Sequence, residues 1–490
     1  MARLRRLTHR ALVGGLVLGL CVLLVWPSPL GGPAPLSGTI VDVWSGQDSD
    51  VDAENVTVPP GIAAVHDRGV TGSGVTVGVL DVTGFGVDHP ALAGHVAAAR
   101  SFDDSVGVAN GGANRHGTAV ALSLAELAPD ASLYLAVAHS SADVEDATAW
   151  FIEHDVDVVV APFNSPGTSA DGTARVSVAL SRLREAGVVV VASAGNFGQS
   201  HWQGTLAPTD DGRHRFRAGV RNRVFPVPNE PRWPTDAGLW LTWNGSRFPH
   251  DLNLELYRFT RDGPELVATS RRISTDRDRS EYLGATLSSG EYYFVLDVPE
   301  RTMPHVDEHR PRVEVTASGV VFDQTRPGGS LTAPATAPSV VAVGAVTPDG
   351  DVSEYSSRGP TSTGRRGVDI VAPTDSLSAV DGLNAPGTSS AAAYVGATAA
   401  LIKSADPSRS AVAVERRLTS TADDRGQHGP DTVTGYGRVS PVAAVFGDEL
   451  GSSEAPETAS IPAPRPTDRS ADPTTPRGTV SAAVVNHTPP

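Results

Sequence analysis

The stretch Asn384-Ala-Pro-Gly-Thr-Ser-Ser-Ala-Ala-Ala-Tyr-Val-Gly-Ala-Thr-Ala-Ala-Leu401 places a serine between a Gly-Thr turn and a run of small residues. The small residues behind Ser389 favour a helix that begins at this serine. A serine there has its hydroxyl near the positive end of the helix dipole and clear of bulky neighbours, which suits a nucleophile. Serine is also among the best N-cap residues, so the stretch alone favours a structural cap. The residues upstream decide between the two interpretations.

The composition indicates an acidic protein of more than one domain. The chain has 490 residues, enough for two or three domains with one large core. Its formal net charge of −16 argues against nucleic acid or an anionic membrane surface as a partner. The single cysteine, Cys21, lies in the N-terminal segment, so the rest of the chain is expected to fold without disulfides.

Residues 1–31 have the layout of an export signal. Basic residues between Arg3 and Arg10 precede an apolar run over 11–26, and prolines and glycines follow it. The run is shorter than the roughly 20 residues of a comfortable transmembrane helix. No clear small-x-small cleavage site follows, so both a signal peptide and an uncleaved N-terminal membrane anchor stay open. Either one predicts a secreted or extracytoplasmic protein.

Two long parts of the chain alternate short β-branched runs with helical patterns. Strands are predicted at 74–81, 133–138, 157–161, 188–192 and 340–346, and helices at 116–127, 142–154, 173–186 and 410–421. This alternation implies right-handed crossovers and therefore an α/β fold with a doubly wound parallel sheet.

Between the fourth and fifth of these strands the pattern changes to short alternating runs. They lie at 239–243, 252–257, 281–287, 292–296 and 312–317, with turn residues between them, and predict an inserted all-β sandwich. Trp202, Trp233, Trp240 and Trp243 are interpreted as core of this sandwich, with a binding surface as the alternative.

The predicted domain organisation follows from these patterns. Residues 1–31 are a signal or anchor, 32–60 a linker, 61–200 and 334–446 the two parts of the α/β domain, 201–333 the inserted sandwich, and 447–490 a disordered Pro/Ser/Thr-rich tail.

Three polar residues fall at the ends of predicted elements. Asp81 ends a strand, His116 opens a helix, and Ser389 opens another. Brought together, they form an orienting acid, a base and a nucleophile. Asn196 follows a further strand and has an amide suited to stabilising an oxyanion. The order Asp, His, Ser differs from that of nucleophile-elbow hydrolases and of trypsin-like enzymes.

By this order and by its motifs, the chain resembles the subtilisin-like serine proteases, the subtilases. The resemblance covers about residues 60–200 and 334–445 and depends on seven motifs in the family's order. They are VGVLD (77–81), DHPAL (88–92), HGT (116–118), SAGN (193–196), YSSRGP (355–360), DIVAP (369–373) and GTS (387–389). The resemblance implies that Asp81, His116 and Ser389 are a catalytic triad and that Asn196 donates to the oxyanion.

The sequence also departs from the family pattern. The stretch 81–84 has one residue more than the usual Asp-Ser/Thr-Gly, which predicts a shifted loop. Ser390, Ala393 and Tyr394 stand where the family favours Met, Pro and His. The substrate-binding strand, commonly Ser-Leu-Gly or Ser-Trp-Gly, reads Pro-Phe-Asn-Ser at 162–165, and its proline has no N–H to donate. Peptide binding there is expected to differ from the family norm.

The resemblance implies an exported serine endopeptidase that cleaves a protein or peptide substrate through an acyl-enzyme. It implies no cofactor for the chemistry. Structural calcium is common in the family, but no acidic cluster of this sequence is assigned to it, and no metal ligand is predicted. One alternative is a catalytically silent subtilase fold that binds peptides or mediates adhesion. Another is a processing protease of narrow specificity, or an esterase-like hydrolase. The oligomeric state is left open.

Overall fold

The computed structural model describes residues 58–109, 115–227, 233–272, 279–374 and 387–450. The helices are α1 Pro60–His66, α2 His116–Leu127, α3 Ser141–Glu153, α4 Arg175–Glu185, α5 Met303–His309, α6 Thr388–Ala405, α7 Ala411–Ser420 and α8 Pro441–Leu450, with a short 3-10 helix at Pro90–Leu92. The first five strands are β1 Thr76–Asp81, β2 Val96–Ser101, β3 Ser132–Val137, β4 Val158–Ala161 and β5 Val189–Ser193. The next ten are β6 His201–Thr205, β7 Asn222–Pro226, β8 Thr235–Trp243, β9 Asn253–Thr260, β10 Gly263–Thr269, β11 Arg271–Arg272, β12 Arg279–Leu287, β13 Tyr292–Asp297, β14 Arg312–Ser318 and β15 Val320–Phe322. The last two are β16 Val341–Val346 and β17 Ile370–Pro373.

The predicted parallel sheet is confirmed. Its seven strands run in the order β17-β16-β5-β4-β1-β3-β2, and all neighbouring pairs are parallel. Successive residues of the central strands belong to two different apolar clusters. Val158 and Val160 pack in the cluster that includes α2 and α6. Val159 and Ala161 pack in the cluster that includes α3 and α4. Helices therefore cover both faces, which explains why β4 and β5 are continuous apolar runs without polar alternation.

The strands between β5 and β16 form two antiparallel sheets, as the fold class predicts. One has the order β10-β9-β13-β7-β15 and the other β11-β12-β8-β14-β6. Both contribute to one apolar core, with Leu241 and Leu283 from one sheet and Leu256 and Phe294 from the other. The limits 201 and 333 of the inserted domain stay a prediction.

The sandwich tryptophans are mostly buried, as the core interpretation requires. Trp202 and Trp243 belong to the core between the sheets, and Trp233 is partly buried against it. Trp240 is also buried, but it belongs to none of the apolar core clusters and packs on Tyr282 with ring centroids 5.1 Å apart.

Several elements have weak sequence signals and were not predicted. Strand β2 has the sequence Val-Ala-Ala-Ala-Arg-Ser, and alanine is depleted in strands. It forms because it lies at the sheet edge beside β3, with which it pairs over most of its length. Strands β6, β7, β10, β11, β15 and β17 and helices α1, α5 and α8 were also missed.

Some predicted segments fall outside the described residues. These are the N-terminal signal or anchor at 1–31, nearly all of the linker at 32–60, and the tail beyond Leu450. In the part of the chain that the structure describes, no helix has the length and apolar character needed to cross a membrane.

His214 makes the sandwich core sensitive to acid. Its ring packs between Trp202 and Phe216, and its Nδ1 accepts a 3.1 Å hydrogen bond from the Ala207 N–H. Burial lowers the pKa of His214 from 6.5 to about 4. The folded state therefore favours the neutral ring. The contribution of His214 to the free energy of unfolding is fully present above pH 6.5 and is lost as the pH falls towards 4. We expect this histidine to account for a loss of roughly 3 kcal/mol over that window.

Urea unfolding at pH 7.5 and pH 4.5 checks this expectation. The variant His214→Gln cannot titrate, so its unfolding free energy should change less between the two pH values than that of the wild type. An equal change in both proteins would show that His214 is not the sensitive group.

Candidate active site

The candidate residues meet at the carboxyl edge of the parallel sheet. Val79 pairs with Val160 and Ala161 with Ala192, so Asp81, Pro162 and Ser193 lie at the same level on three adjacent strands. Neighbouring strands are about 4.8 Å apart. The loops that leave β1, β4 and β5 therefore surround one small region, where ligands of open α/β sheets usually bind.

Asp81 and His116 form a buried pair in this region. Both residues are 0% exposed, and His116 Nδ1 lies 2.8 Å from Asp81 Oδ2. His116 is the first residue of α2, as predicted. The contact holds the ring with Nδ1–H towards the carboxylate, which leaves Nε2 as the nitrogen able to accept a proton.

Thr83 supports the carboxylate from the other side. Its backbone N–H and its hydroxyl each donate a 2.8 Å hydrogen bond to Asp81 Oδ1. The same hydroxyl accepts a 2.8 Å bond from the Gly117 N–H, at the start of α2. The extra residue after Asp81, expected to shift the loop, therefore leaves the acid in contact with the histidine. Sequence reasoning missed Thr83 as a bridge between the acid and the helix.

The environment of Asp81 keeps it ionised. Burial opposes the charged form, but the attraction of His116 and the hydrogen bonds from His116 and Thr83 outweigh it, so the pKa of Asp81 lies below its usual value. A carboxylate without a proton can accept from the ring and stabilise it when it becomes positive.

Ser389 is not an N-cap. The cap position of α6 is Gly387, and Ser389 is the second residue of the helix, so the capping interpretation is wrong. Its side chain is 6% exposed, and its hydroxyl donates a 3.0 Å hydrogen bond to the carbonyl of Pro162. To act as a nucleophile, this hydroxyl has to direct its proton to Nε2 of the histidine instead of Pro162. No sequence pattern indicates that Pro162 acts through its carbonyl.

Asn196 is anchored by the residue that precedes the serine. Its Oδ1 accepts 3.0 Å hydrogen bonds from both the backbone N–H and the hydroxyl of Thr388. The Thr388 hydroxyl accepts in turn from the Gly195 N–H at 3.1 Å. Because a backbone N–H can only donate, the oxygen of the amide must face Thr388 and the NH₂ group must point the other way. That NH₂ group is a fixed donor beside the start of α6.

Gly387 allows this close approach. Its φ is +101°, and a Cβ added there would lie 2.5 Å from Asn196 Nδ2. We expect Gly387→Ala to displace the amide and to lower kcat about 100-fold, the scale of losing one oxyanion donor. The change is measured with steady-state kinetics on a peptide substrate.

A matched glycine separates this effect from general backbone strain. Gly350 has a φ of +90° but no atom within 4 Å of an added Cβ. Gly350→Ala should therefore lower stability slightly without lowering kcat. Equal kinetic losses in both variants would mean that displacement of Asn196 is not the cause.

The predicted substrate-binding segment at 162–165 is tied to its surroundings. The Ser165 N–H donates a 2.7 Å hydrogen bond to the Ala333 carbonyl, and the Ser165 carbonyl accepts from the Thr168 hydroxyl. Asn164 is buried and donates to the Ser193 carbonyl at 3.3 Å. Together with the missing N–H of Pro162, the two bonds of Ser165 reduce the number of backbone groups that can pair with an extended peptide.

Among the residues that the structure describes, no group of three His, Cys, Asp or Glu side chains could hold a metal ion. The expectation about structural calcium therefore stays a prediction.

The fold and this edge define a class of protein. It has a seven-stranded parallel sheet with an Asp–His pair after β1, an anchored asparagine after β5, and a serine in the first turn of α6. The profile of the subtilase family matches residues 72–213 and 305–437, more than half of the chain. The protein belongs to the subtilase family.

Individual relatives match a shorter stretch of the chain. The thermostable alkaline protease of Halalkalibacterium halodurans is 32% identical over 168 residues, 29% of this chain and 43% of that protein. Subtilisin E of Bacillus subtilis is 31% identical over 164 residues, 29% of this chain and 41% of that protein. The chain thus spans less than half the length of these relatives.

A solved structure supports the fold over a longer range. The Clostridium perfringens CspB protease matches with a TM-score of 0.56 and 16% identity, covering 80% of this chain and 96% of that one. At this identity the likeness concerns the fold alone.

Proposed function

We propose that the protein is a serine endopeptidase that hydrolyses peptide bonds of a protein or peptide substrate. The observation that carries this proposal is the buried Asp81–His116 pair at the edge where Ser389 and Asn196 also lie. A buried carboxylate, a histidine held by its Nδ1, and a donor preset for an oxyanion are the parts that acyl transfer needs. The family's named relatives, alkaline proteases and subtilisins, support the same activity.

The first step is activation of the serine. The Ser389 hydroxyl rotates away from Pro162 and donates to His116 Nε2. His116 takes the proton as the oxygen attacks the scissile carbonyl, and the Asp81 carboxylate stabilises the resulting imidazolium. The released Pro162 carbonyl becomes an acceptor next to the nucleophile, so an N–H of the extended substrate can occupy the position that the hydroxyl left.

The next steps depend on the oxyanion. Electrons of the carbonyl move to its oxygen, and the Asn196 NH₂ group and the Ser389 backbone N–H donate to it. The tetrahedral species collapses, the C–N bond breaks, and His116 gives its proton to the leaving amine. Water then attacks the acyl-enzyme with His116 again as the base, which releases the acid and restores Ser389. No cofactor enters this sequence.

The predicted compartment belongs to the same proposal. The basic and apolar N-terminal segment is proposed to direct the protein out of the cytoplasm, either as a cleaved signal or as an anchor. An exported enzyme of this kind meets protein substrates outside the cell. The absence of cysteine beyond Cys21 means that its folding needs no disulfide chemistry there.

A second candidate function is a silent module that binds peptides without cleaving them. It is favoured by the Ser389 hydroxyl resting on Pro162 and by the internal bonds of Ser165. In the conformation described, the hydroxyl bonds Pro162 and the N–H of Ser165 is already occupied, so neither group is directed at a substrate. The intact Asp81–His116 pair opposes this candidate, because a binding module has no need of a buried carboxylate hydrogen-bonded to a histidine.

Labelling with a fluorophosphonate probe separates the two functions. The probe phosphonylates a serine, with loss of fluoride, only when a base has activated it, so the wild type should be labelled and His116→Ala should not. A well-folded wild type that resists labelling would overturn the proposed activity and favour the binding module.

A further inference from the structure

The inserted sandwich has an arginine-lined surface cavity that the proposed chemistry does not use. Its volume is about 330 Å³, and three arginines line it, namely Arg272 at the end of β11, Arg279 at the start of β12, and Arg301 in the loop before α5. Asp251 and His250, just before β9, complete the wall. None of these residues lies in the ranges matched by the subtilase profile.

Asp251 orients two of the arginines. Its Oδ1 lies 2.6 Å from Arg272 Nη2, and its Oδ2 lies 2.6 Å from Arg301 Nη2. One carboxylate therefore holds two guanidinium groups and neutralises only one positive charge. Their side chains stay 47% and 73% exposed, so each keeps N–H groups that face solvent.

Arg279 adds a positive charge without an acidic partner. Among the residues that the structure describes, its side chain makes no hydrogen bond or ion pair. Burial lowers the pKa of His250, and the positive charges of His305, His309 and Arg279 lower it further. Glu281, two residues further along β12, is 3% exposed, and burial raises its pKa to about 7, so it only partly offsets the arginines. Among the described residues that line the cavity, three arginines stand against one carboxylate, Asp251, on a chain whose net charge is −16.

The chemistry of the cavity fits an oxyanion. Arginine presents several N–H donors in a fixed plane and binds carboxylates and phosphates through paired hydrogen bonds. Arg272 and Arg301 are held in place before any ligand arrives, which reduces the side-chain entropy lost on binding. A purely structural role would account for the two arginines on Asp251 but not for Arg279.

The cavity is also close to the proposed active site. Ser280, the neighbour of Arg279 on β12, donates a hydrogen bond from its hydroxyl to the carbonyl of Gly167. Gly167 follows Pro162 by five residues, so these two positions are separated by at most about 17 Å of extended chain. Arg279 lies on the opposite face of β12 from Ser280, since side chains alternate along a strand, but it is the first residue of β12, so a polypeptide can pass the end of the strand. A polypeptide whose scissile bond lies at Ser389 then needs a residue roughly six to eight positions away to reach Arg279.

We propose that Arg272, Arg279 and Arg301 form an exosite for carboxylates, which binds an acidic segment of the protein substrate outside the scissile bond. The inference rests on the proposed function, since it assigns to that enzyme a preferred class of substrate. The exosite favours polypeptides that carry several Asp or Glu side chains about six to eight residues from the cleaved bond. It adds affinity for such substrates without taking part in the chemical step.

The test uses the full chain with the substitution Ser389→Ala, so that binding is measured without cleavage. The probe is a fluorescein-labelled hexaglutamate peptide, and fluorescence anisotropy gives its Kd. Added to Ser389→Ala, Arg279→Ala should weaken binding about five- to tenfold, because one charge-assisted contact is lost. Arg279 has no partner within the described residues, so its removal should leave the fold intact, which thermal unfolding checks.

A matched variant controls for net charge. Arg223 lies on β7 of the other sheet and pairs with Glu291 at the surface, so Arg223→Ala makes the same change of charge away from the cavity. Binding should be unchanged in this variant. An equal loss in both variants, or no binding of hexaglutamate to the parent, would overturn the exosite.

Inorganic phosphate and a kinetic comparison complete the design. Tight binding of phosphate without binding of hexaglutamate would overturn the acidic-peptide assignment in favour of a phosphate site.

On the active enzyme, Arg279→Ala should raise KM for a peptide with a distant Glu triplet and leave kcat unchanged. Hexaglutamate binding by a protein that no fluorophosphonate labels would support the exosite while the proposed function fails.

Discussion

Ser389→Ala is expected to lower kcat for peptide hydrolysis about a million-fold, the scale measured for the nucleophile of subtilisin, a named relative of this chain. The reason is that the variant has no oxygen to attack the carbonyl, and no neighbouring group can replace it without losing its own role. The fold should persist, because the hydroxyl makes one described hydrogen bond, to the carbonyl of Pro162. The measurement is the initial rate on an internally quenched peptide library, with thermal unfolding as the test of the fold.

Ser123→Ala provides the matched control. Ser123 is also buried in a helix, where its hydroxyl bonds the Ala119 carbonyl, and it plays no part in the proposed chemistry. This variant should retain nearly full activity. Hydrolysis by Ser389→Ala within tenfold of the wild type would rule out an acyl-enzyme on Ser389.

Asp81→Asn is expected to lower kcat about 10⁴-fold while preserving the structure of the site. The contacts of Thr83 explain why. The Thr83 N–H donates to Oδ1, so the oxygen of the new amide should face Thr83 and its NH₂ group should face His116. An NH₂ group at that position donates to Nδ1, which forces the ring proton onto Nε2. A protonated Nε2 cannot accept the proton of Ser389.

The pair formed by Asp103 and His139 offers a control outside the site. These side chains lie 3.1 Å apart and are about one quarter exposed. Asp103→Asn should not change kcat. If Asp81→Asn kept more than a tenth of the wild-type kcat, the carboxylate would not be the group that orients His116. Labelling of the Asp81→Asn variant by the fluorophosphonate should slow in parallel with its turnover.

Much of the architecture could be predicted because local patterns match the final fold. Continuous apolar runs predicted β4 and β5, since buried parallel strands need apolar residues on both faces. The helical spacing of small residues placed the start of α2 at His116. Asp81, His116 and Asn196 were candidates from their positions at the ends of such elements, and the resemblance to the subtilases implied their roles. The structure brings them to one edge of the sheet.

Other features were out of reach because they depend on contacts between distant residues. The Ser389–Pro162 hydrogen bond joins positions 227 residues apart. The link from Asn196 to Thr388 spans 192 residues. The stretch 81–84 suggested a displaced family motif. Only the folded loop shows that the Thr83 hydroxyl connects the acid to α2. The arginine cavity needs residues from two strand ends and two loops to converge, which no local pattern indicates.

The pairing of β5 with β16 explains why so large a segment can interrupt this fold. The chain leaves the sheet at one strand and returns at the strand beside it, so the segment between them begins and ends at nearly the same place. The entropy of closing a loop grows only with the logarithm of its length. Extending the connection between β5 and β16 from about 15 residues to its present length costs about 2 kcal/mol. At this position the sheet can therefore acquire a whole additional domain for about the free energy that one large-to-small core mutation costs.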